Sequence, residues 1–261
     1  MDLKQRLRNG DDTLSMLGCL VPSAVTAQIV ARSGIDIVMF DLEHMPLDAA
    51  TLHAMIAATQ GTACAPLVRV PGHDPAEVKR ALDLGAEGIV FPLVRTEREA
   101  AACVATTRYP PHGIRGWGPF AAHARWGVST ADYLPRLGDR IVTCLLIETA
   151  EAVENIADIC AVDGVDFLFV APFDLSTSLG VPGDFEAPAF RAAVARVEAA
   201  ALAAGIPLGG GPVTGPDAAR DLAARGYKVL ADFDLFQLGR TASALAGWTK
   251  DAAGPAGGAA A

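Results

Sequence analysis

The sequence predicts an α/β protein of the (β/α)8 barrel type, and three observations carry that expectation. Eight short apolar runs recur, at residues 14–21, 35–40, 65–70, 88–94, 141–147, 167–171, 206–209 and 228–231, with helical stretches between them. The runs are apolar almost throughout, which marks strands buried on both faces, as in an all-parallel sheet. The length of 261 residues suits eight strand-helix units in one domain. A seven-stranded doubly wound sheet is the competing arrangement, since the first and seventh runs are weak. We expect a single domain over 1–250, followed over 251–261 by a flexible tail, DAAGPAGGAAA, that cannot form a core.

The first run follows an N-terminus, MDLKQRLRNG, that lacks the apolar core of a signal peptide. The second run leads into Asp41, with Glu43 and His44 just beyond. The third contains Arg69 near its end, two residues before Pro71. The fourth follows the segment ALDLG (81–85), whose Asp83 reads as a surface residue near a helix C-terminus. The longest interruption, 109–138, carries Pro110-Pro111, the aromatics Trp117, Phe120 and Trp126, and the basic candidates Arg115, His123 and Arg125. Its aromatic content argues against disorder, and we expect it to wall the site. The fifth run ends in Glu148. A helical stretch, 151–160, with Val153, Ile156, Ala157 and Cys160 on one face, and a turn at Asp163-Gly164 then lead to the sixth run, beyond which lies Asp174. Strand, crossover helix and strand make a parallel βαβ unit. Glu148 and Asp174 therefore leave strands about 4.8 Å apart at one end of the sheet. Around the seventh run, Gly209-Gly210-Gly211 reads either as a phosphate-holding turn or as a tight backbone corner.

In a barrel the active site lies at the C-terminal ends of the strands. The polar residues there are Asp41, Glu43, His44, Arg69, Glu148 and Asp174. Two bare carboxylates that close repel, and one tends to keep its proton. A divalent cation removes the conflict, and oxygen-only ligation selects Mg2+ or Mn2+ over zinc. The competing reading makes the pair helix caps. His44, three residues after Asp41, reads as a base oriented by a carboxylate, or as a rim residue. The Arg69 fork suits capture of a carboxylate, or a salt bridge to a loop acid. The four lysines, Lys4, Lys79, Lys228 and Lys250, all avoid the strand C-terminal ends, so a Schiff-base nucleophile is lacking.

A net charge of -9 disfavours nucleic-acid partners, which need phosphate neutralisation. No apolar run approaches the ~20 residues of a membrane span. Five scattered cysteines without a C-x-x-C pair point to reduced thiols and a cytoplasmic protein.

The motifs FDLEHMP (40–46), PLVRVP (66–71), ALDLGAEGIVFP (81–92), YPPHGIRGWG (109–118), IETAEA (147–152) and VDFLFVAPFDLSTSLG (165–180) occur in order within residues 14–240. In them the chain resembles the HpcH/HpaI family of class II, metal-dependent pyruvate aldolases. The resemblance implies a phosphoenolpyruvate/pyruvate-domain-like TIM barrel with an exchanged C-terminal helix, assembled as a homo-hexamer, a trimer of dimers. It implies reversible cleavage of a 4-hydroxy-2-oxo acid to an aldehyde and pyruvate, or a related 2-oxo acid such as hydroxypyruvate, through an enolate held by Mg2+, Mn2+ or Co2+. By the same resemblance Glu148 and Asp174 match the metal ligands, Arg69 the pyruvate-site arginine, and His44 with Asp41 the catalytic base dyad. Asp83 matches an aspartate that approaches the site from a neighbouring subunit, which revises its surface reading. Ala171 and Pro172 are implied substrate contacts, and His123 and Arg125 are candidates for contacting the aldehyde. Two positions depart from the family pattern: Leu146, where many relatives carry Gln, and Ala171, where Gly is usual. They leave the metal ligands in place and alter hydrogen bonding around the substrate. The alternatives are a citramalyl- or malyl-CoA-type lyase, an oxo-acid decarboxylase and a noncatalytic metabolite-binding oligomer. A CoA enzyme needs a basic, adenine-accepting groove, for which 115–125 is the one source.

Overall fold

Eight parallel strands close into a barrel in sequence order, in a computed structural model that describes residues 2–9 and 12–252. They are β1 (Leu14–Cys19), β2 (Ile37–Asp41), β3 (Ala65–Arg69), β4 (Gly88–Phe91), β5 (Val142–Ile147), β6 (Phe167–Val170), β7 (Leu208–Gly210) and β8 (Tyr227–Phe233). Each apolar run overlaps one strand. β8 pairs with β1 from Val229 opposite Leu14 to Phe233 opposite Gly18, which excludes the open sheet.

The strands are apolar on both faces because each face meets its own core. Val142, Cys144 and Leu146 of β5 join Ile37, Met39, Leu67, Phe167 and Phe169 inside the barrel. Leu145 and Ile147 pack outward against the helices with Val38, Phe40, Val68 and Leu168. Side chains alternate along a strand, so Asp41, Arg69 and Glu148 fall on the inward phase. The helix Leu3–Asn9 buries Leu3 and Leu7 into the inner cluster and shuts the N-terminal end of the barrel. Chemistry is left with the other end.

The glycine turn is a corner. A Cβ on Gly209 would stand 2.6 Å from Phe169 Cδ2, and one on Gly210 2.6 Å from Tyr227 Cε1, so the bare backbone lets two rings pack. The stretch expected as one helix over 151–160 is divided into Ala150–Glu154 and Ile156–Cys160. Asn155 breaks it, its Nδ2 donating to the Arg95 carbonyl at 3.0 Å.

The segment 109–138 is placed otherwise than expected. It joins the helix Glu97–Thr107 to β5, so it runs at the N-terminal end of the barrel, opposite Glu148. It does not wall the site of its own chain. The last helix, Asp234–Ala252, takes in the first two residues of the expected tail, and the rest of that expectation lies outside the described residues. Among the described residues no helix is long and apolar enough to cross a membrane. All five cysteines are buried and unpaired.

Candidate active site

Strand phase brings the polar residues together. Asp41 ends β2 and Arg69 ends β3, directly opposite one another in the parallel register. Arg69 grips Asp41 with two parallel bonds, Nε to Oδ1 at 2.9 Å and Nη2 to Oδ2 at 2.7 Å. The Asp41 side chain is 0% exposed and that of Arg69 10%, so this is a buried, fork-shaped pair. Glu43 stands at the other side of the guanidinium, with Oε2 3.4 Å from Nε.

The pairing differs from the expected dyad. The carboxylate beside His44 is Glu43, whose Oε2 lies 3.5 Å from His44 Nε2. Asp41 is occupied by Arg69 and by the Glu43 N–H, at 2.9 Å. Glu43 was among the strand-end residues but carried no expected role. Its signal was the spacing: Asp41 and Glu43, two apart, share the inward phase.

Glu148 lies just beyond β5 and is 4% exposed. The capping alternative fails here, because Thr149 caps the next helix, its side chain accepting from Ala152 N at 3.1 Å. Glu148 Oε1 accepts from the Leu93 N–H instead. Burial pushes the Glu148 carboxyl up to about 7; the Leu93 N–H and the Arg69 charge oppose that shift, and the negative charges of Asp174 and Glu43 add to it. Burial also raises Glu43, with Asp41 and Asp174 adding to the effect against Arg69 and His44. Asp174 sits in the first turn of the helix Pro172–Ser178, exposed, with no hydrogen bond or ion pair among the described residues. Glu148, Glu43 and Asp174 thus share one field of negative charge, which Arg69 offsets in part.

Arg69, Ala171, Pro172 and Asp174 line one cavity at this end of the barrel, above an apolar floor that includes Met39, Leu146 and Phe169. Leu146 makes that floor hydrocarbon. The carboxylates offer oxygen donors alone, which suits a hard dication. Among the described residues no three His, Cys, Asp or Glu side chains converge on one point. Glu148 and Asp174 are the carboxylates that would hold such an ion.

Three expected residues lie elsewhere. Asp83 ends the helix Pro75–Asp83 and accepts from Arg115 Nη2 at 2.9 Å. His123 Nδ1 is 3.0 Å from the Val128 carbonyl, and Arg125 Nη2 donates to Thr59 Oγ1 at 2.9 Å. None of the three lines the cavity of its own chain. For His123 and Arg125 this placement follows from connectivity, since 109–138 is an αβ connection and the loops at the cavity end are βα connections. Asp83 is expected at a neighbouring subunit's site, which a single chain does not contain.

The sequence matches the model of the HpcH/HpaI aldolase/citrate lyase family over residues 15–237. It is 41% identical over 180 residues to the hydroxypyruvate/pyruvate aldolase of Chromohalobacter salexigens, covering 69% of this chain and 70% of that protein. It is 39% identical over 191 residues to the pyruvate aldolase of Rhizobium etli, covering 73% of this chain and 74% of the other. In structure it is similar to an HpcH/HpaI aldolase/citrate lyase family protein from Burkholderia cenocepacia J2315, with a TM-score of 0.88, 35% identity, and 95% and 98% of the two chains covered.

Proposed function

This chain belongs to the HpcH/HpaI aldolase/citrate lyase family and is an aldolase-type lyase acting on a 2-oxo acid; from that premise we propose that it reversibly cleaves a 4-hydroxy-2-oxo acid to an aldehyde and pyruvate, or hydroxypyruvate. One observation carries the reading: the Arg69 guanidinium and the Asp174 carboxylate line one cavity with an apolar floor, and the buried Glu148 carboxyl lies within electrostatic reach of both. A fixed guanidinium beside carboxylates that could hold a metal ion suits a small, oxygen-rich anion.

Glu148 and Asp174 would hold a divalent ion, Mg2+, Mn2+ or Co2+. Such an ion supplies Lewis-acid stabilisation of the negative charge that develops on the oxo-acid oxygens, worth several kcal/mol. Arg69, immobilised by Asp41, orients the substrate carboxylate and meets the same developing charge without reorganising. His44, oriented by Glu43, takes the proton of the C4 hydroxyl as the C3–C4 bond breaks and returns it in synthesis. Ala171 and Pro172 border the oxo acid. The test is pyruvate release from 4-hydroxy-2-oxo acids in chelator-treated protein resupplied with each ion; release that is unaffected by chelation sinks the scheme.

The lysines support a reaction without a covalent imine. Lys4 contacts Asp166 at 3.2 Å near the closed end of the barrel, and Lys228 contacts Asp12. We expect the protein mass to be unchanged after borohydride treatment with pyruvate; a reduced adduct would restore a lysine nucleophile. A CoA lyase is less well supported, because its proposed groove is occupied. Arg115 is buried between the rings of Tyr109 and Tyr133, with centroids 4.6 and 5.8 Å away, and Arg125 lies over Trp126 at 4.4 Å.

We further propose a homo-hexamer in which the helix Asp234–Ala252 docks on another copy and Asp83 approaches a neighbouring site. The helix exposes Leu238, Leu245 and Trp248 at 62, 57 and 65%. An apolar face of that kind marks an interface. Leu245→Glu with Trp248→Glu should lower the sedimentation mass by at least half, and an unchanged mass argues against this helix as the contact. The buried thiols accord with a cytoplasmic setting.

A further inference from the structure

We propose that His73 is a positioning residue for Glu148, acting through the single peptide group between Pro92 and Leu93. His73 lies after β3, half-buried, with its ring edge-on to Phe91 at 6.2 Å. Its Nε2 is 2.7 Å from the Pro92 carbonyl oxygen. The N–H of that same peptide, on Leu93, is the donor to Glu148 Oε1. In a trans peptide the C=O and N–H point in opposite directions. Holding the carbonyl at His73 therefore aims the N–H at the carboxylate.

The backbone carries the mark of this orientation. Leu93, with φ of 55, is the one non-glycine residue at positive φ among the described residues. That region is sterically disfavoured for a residue with a Cβ, and Leu93 gains no burial from it, being 45% exposed. A peptide flip is the usual way such a φ exchanges with an ordinary one. The flip would turn the N–H away from Glu148 and present a carbonyl oxygen to a carboxylate already crowded by negative charge. With Nε2 as the donor, His73 opposes the flip, and the two hydrogen bonds polarise one peptide in the same sense. His73 lines no part of the cavity, and its hydrogen-bonded link to Glu148 runs through this peptide.

The functional consequence rests on the reading of Glu148 as a metal ligand. Groups that orient such ligands typically change affinity about 10- to 100-fold when removed. Two readouts separate the contact from the ligand. In metal-free protein, the Leu93 amide proton should resonate downfield and move upfield in His73→Ala, while His73→Gln, whose side-chain amide also donates, keeps it downfield. In calorimetry, Mn2+ should bind about 10- to 100-fold more weakly to His73→Ala and near wild-type strength to His73→Gln. Leu93→Gly should keep both signals, because glycine enters positive φ freely; their loss would assign the effect to the leucine side chain and overturn the proposal. An amide unmoved in His73→Ala overturns it as well. So does a moved amide with unchanged Mn2+ affinity where Glu148→Gln abolishes binding. Unchanged Mn2+ affinity in Glu148→Gln would instead remove Glu148 from the metal site, and the amide would still decide whether His73 orients it.

Discussion

Glu148→Gln should abolish metal-dependent cleavage and, in the metal-free protein, raise stability above neutral pH. The loss of activity follows from the Lewis-acid contribution of several kcal/mol, which at about 1.4 kcal/mol per tenfold amounts to at least ~10^3 in rate. Asp174→Ala should lose activity to a similar extent. The stability effect has the opposite direction. The folded protein holds Glu148 at about 7 against an ordinary 4.5, so it binds the proton more tightly than the unfolded chain does. Stability from this group is fully present below about 4.5 and is lost as pH rises through about 7, a change of about 3 kcal/mol. Glutamine keeps an acceptor for the Leu93 N–H and carries no charge to bury. At pH 8 the chelated variant should melt ~5–10 °C above the chelated wild type, and the difference should vanish near pH 4. Chelated melts of both proteins across that range check the claim. A difference independent of pH would mean that Glu148 is not a desolvated carboxylate.

Arg69→Ala should cost about 3–5 kcal/mol of stability, because it strands the Asp41 carboxylate in a fully buried position. It should also lower kcat/KM by at least ~10^2, since a hydrogen bond to a charged group and the alignment of the oxo acid are lost together. Arg69→Lys keeps the charge without the two-pronged geometry and should recover more stability than activity. The double variant Asp41→Ala, Arg69→Ala separates the roles. With no stranded charge it should be about 2 kcal/mol more stable than the sum of the single losses, while activity stays absent. Additive losses in denaturant melts would show that the two side chains are not coupled.

Hydrophobic patterning favoured eight strand-helix units and was enough for the list of residues at the C-terminal ends of the strands, while the pairing of β8 with β1 decided between barrel and open sheet. Uninterrupted apolar runs require two cores, and two-residue periodicity places Asp41, Glu43, Arg69 and Glu148 on the inner side of their strands or strand exits. Both statements depend on local geometry, which neighbours in sequence share. The partners of those residues were not legible. Spacing suggested Asp41 for His44, yet the closed sheet sets Asp41 opposite Arg69 across β2 and β3, and the guanidinium takes the carboxylate first. Thr149 was equally hidden as the cap that frees Glu148. The segment with His123 and Arg125 looked catalytic by composition. Its connection from a helix C-terminus to the start of β5 carries it to the far end of the barrel. Contacts between strands, and the end of the barrel a loop reaches, arise from register and closure, which join residues far apart in the chain and leave no trace in local periodicity.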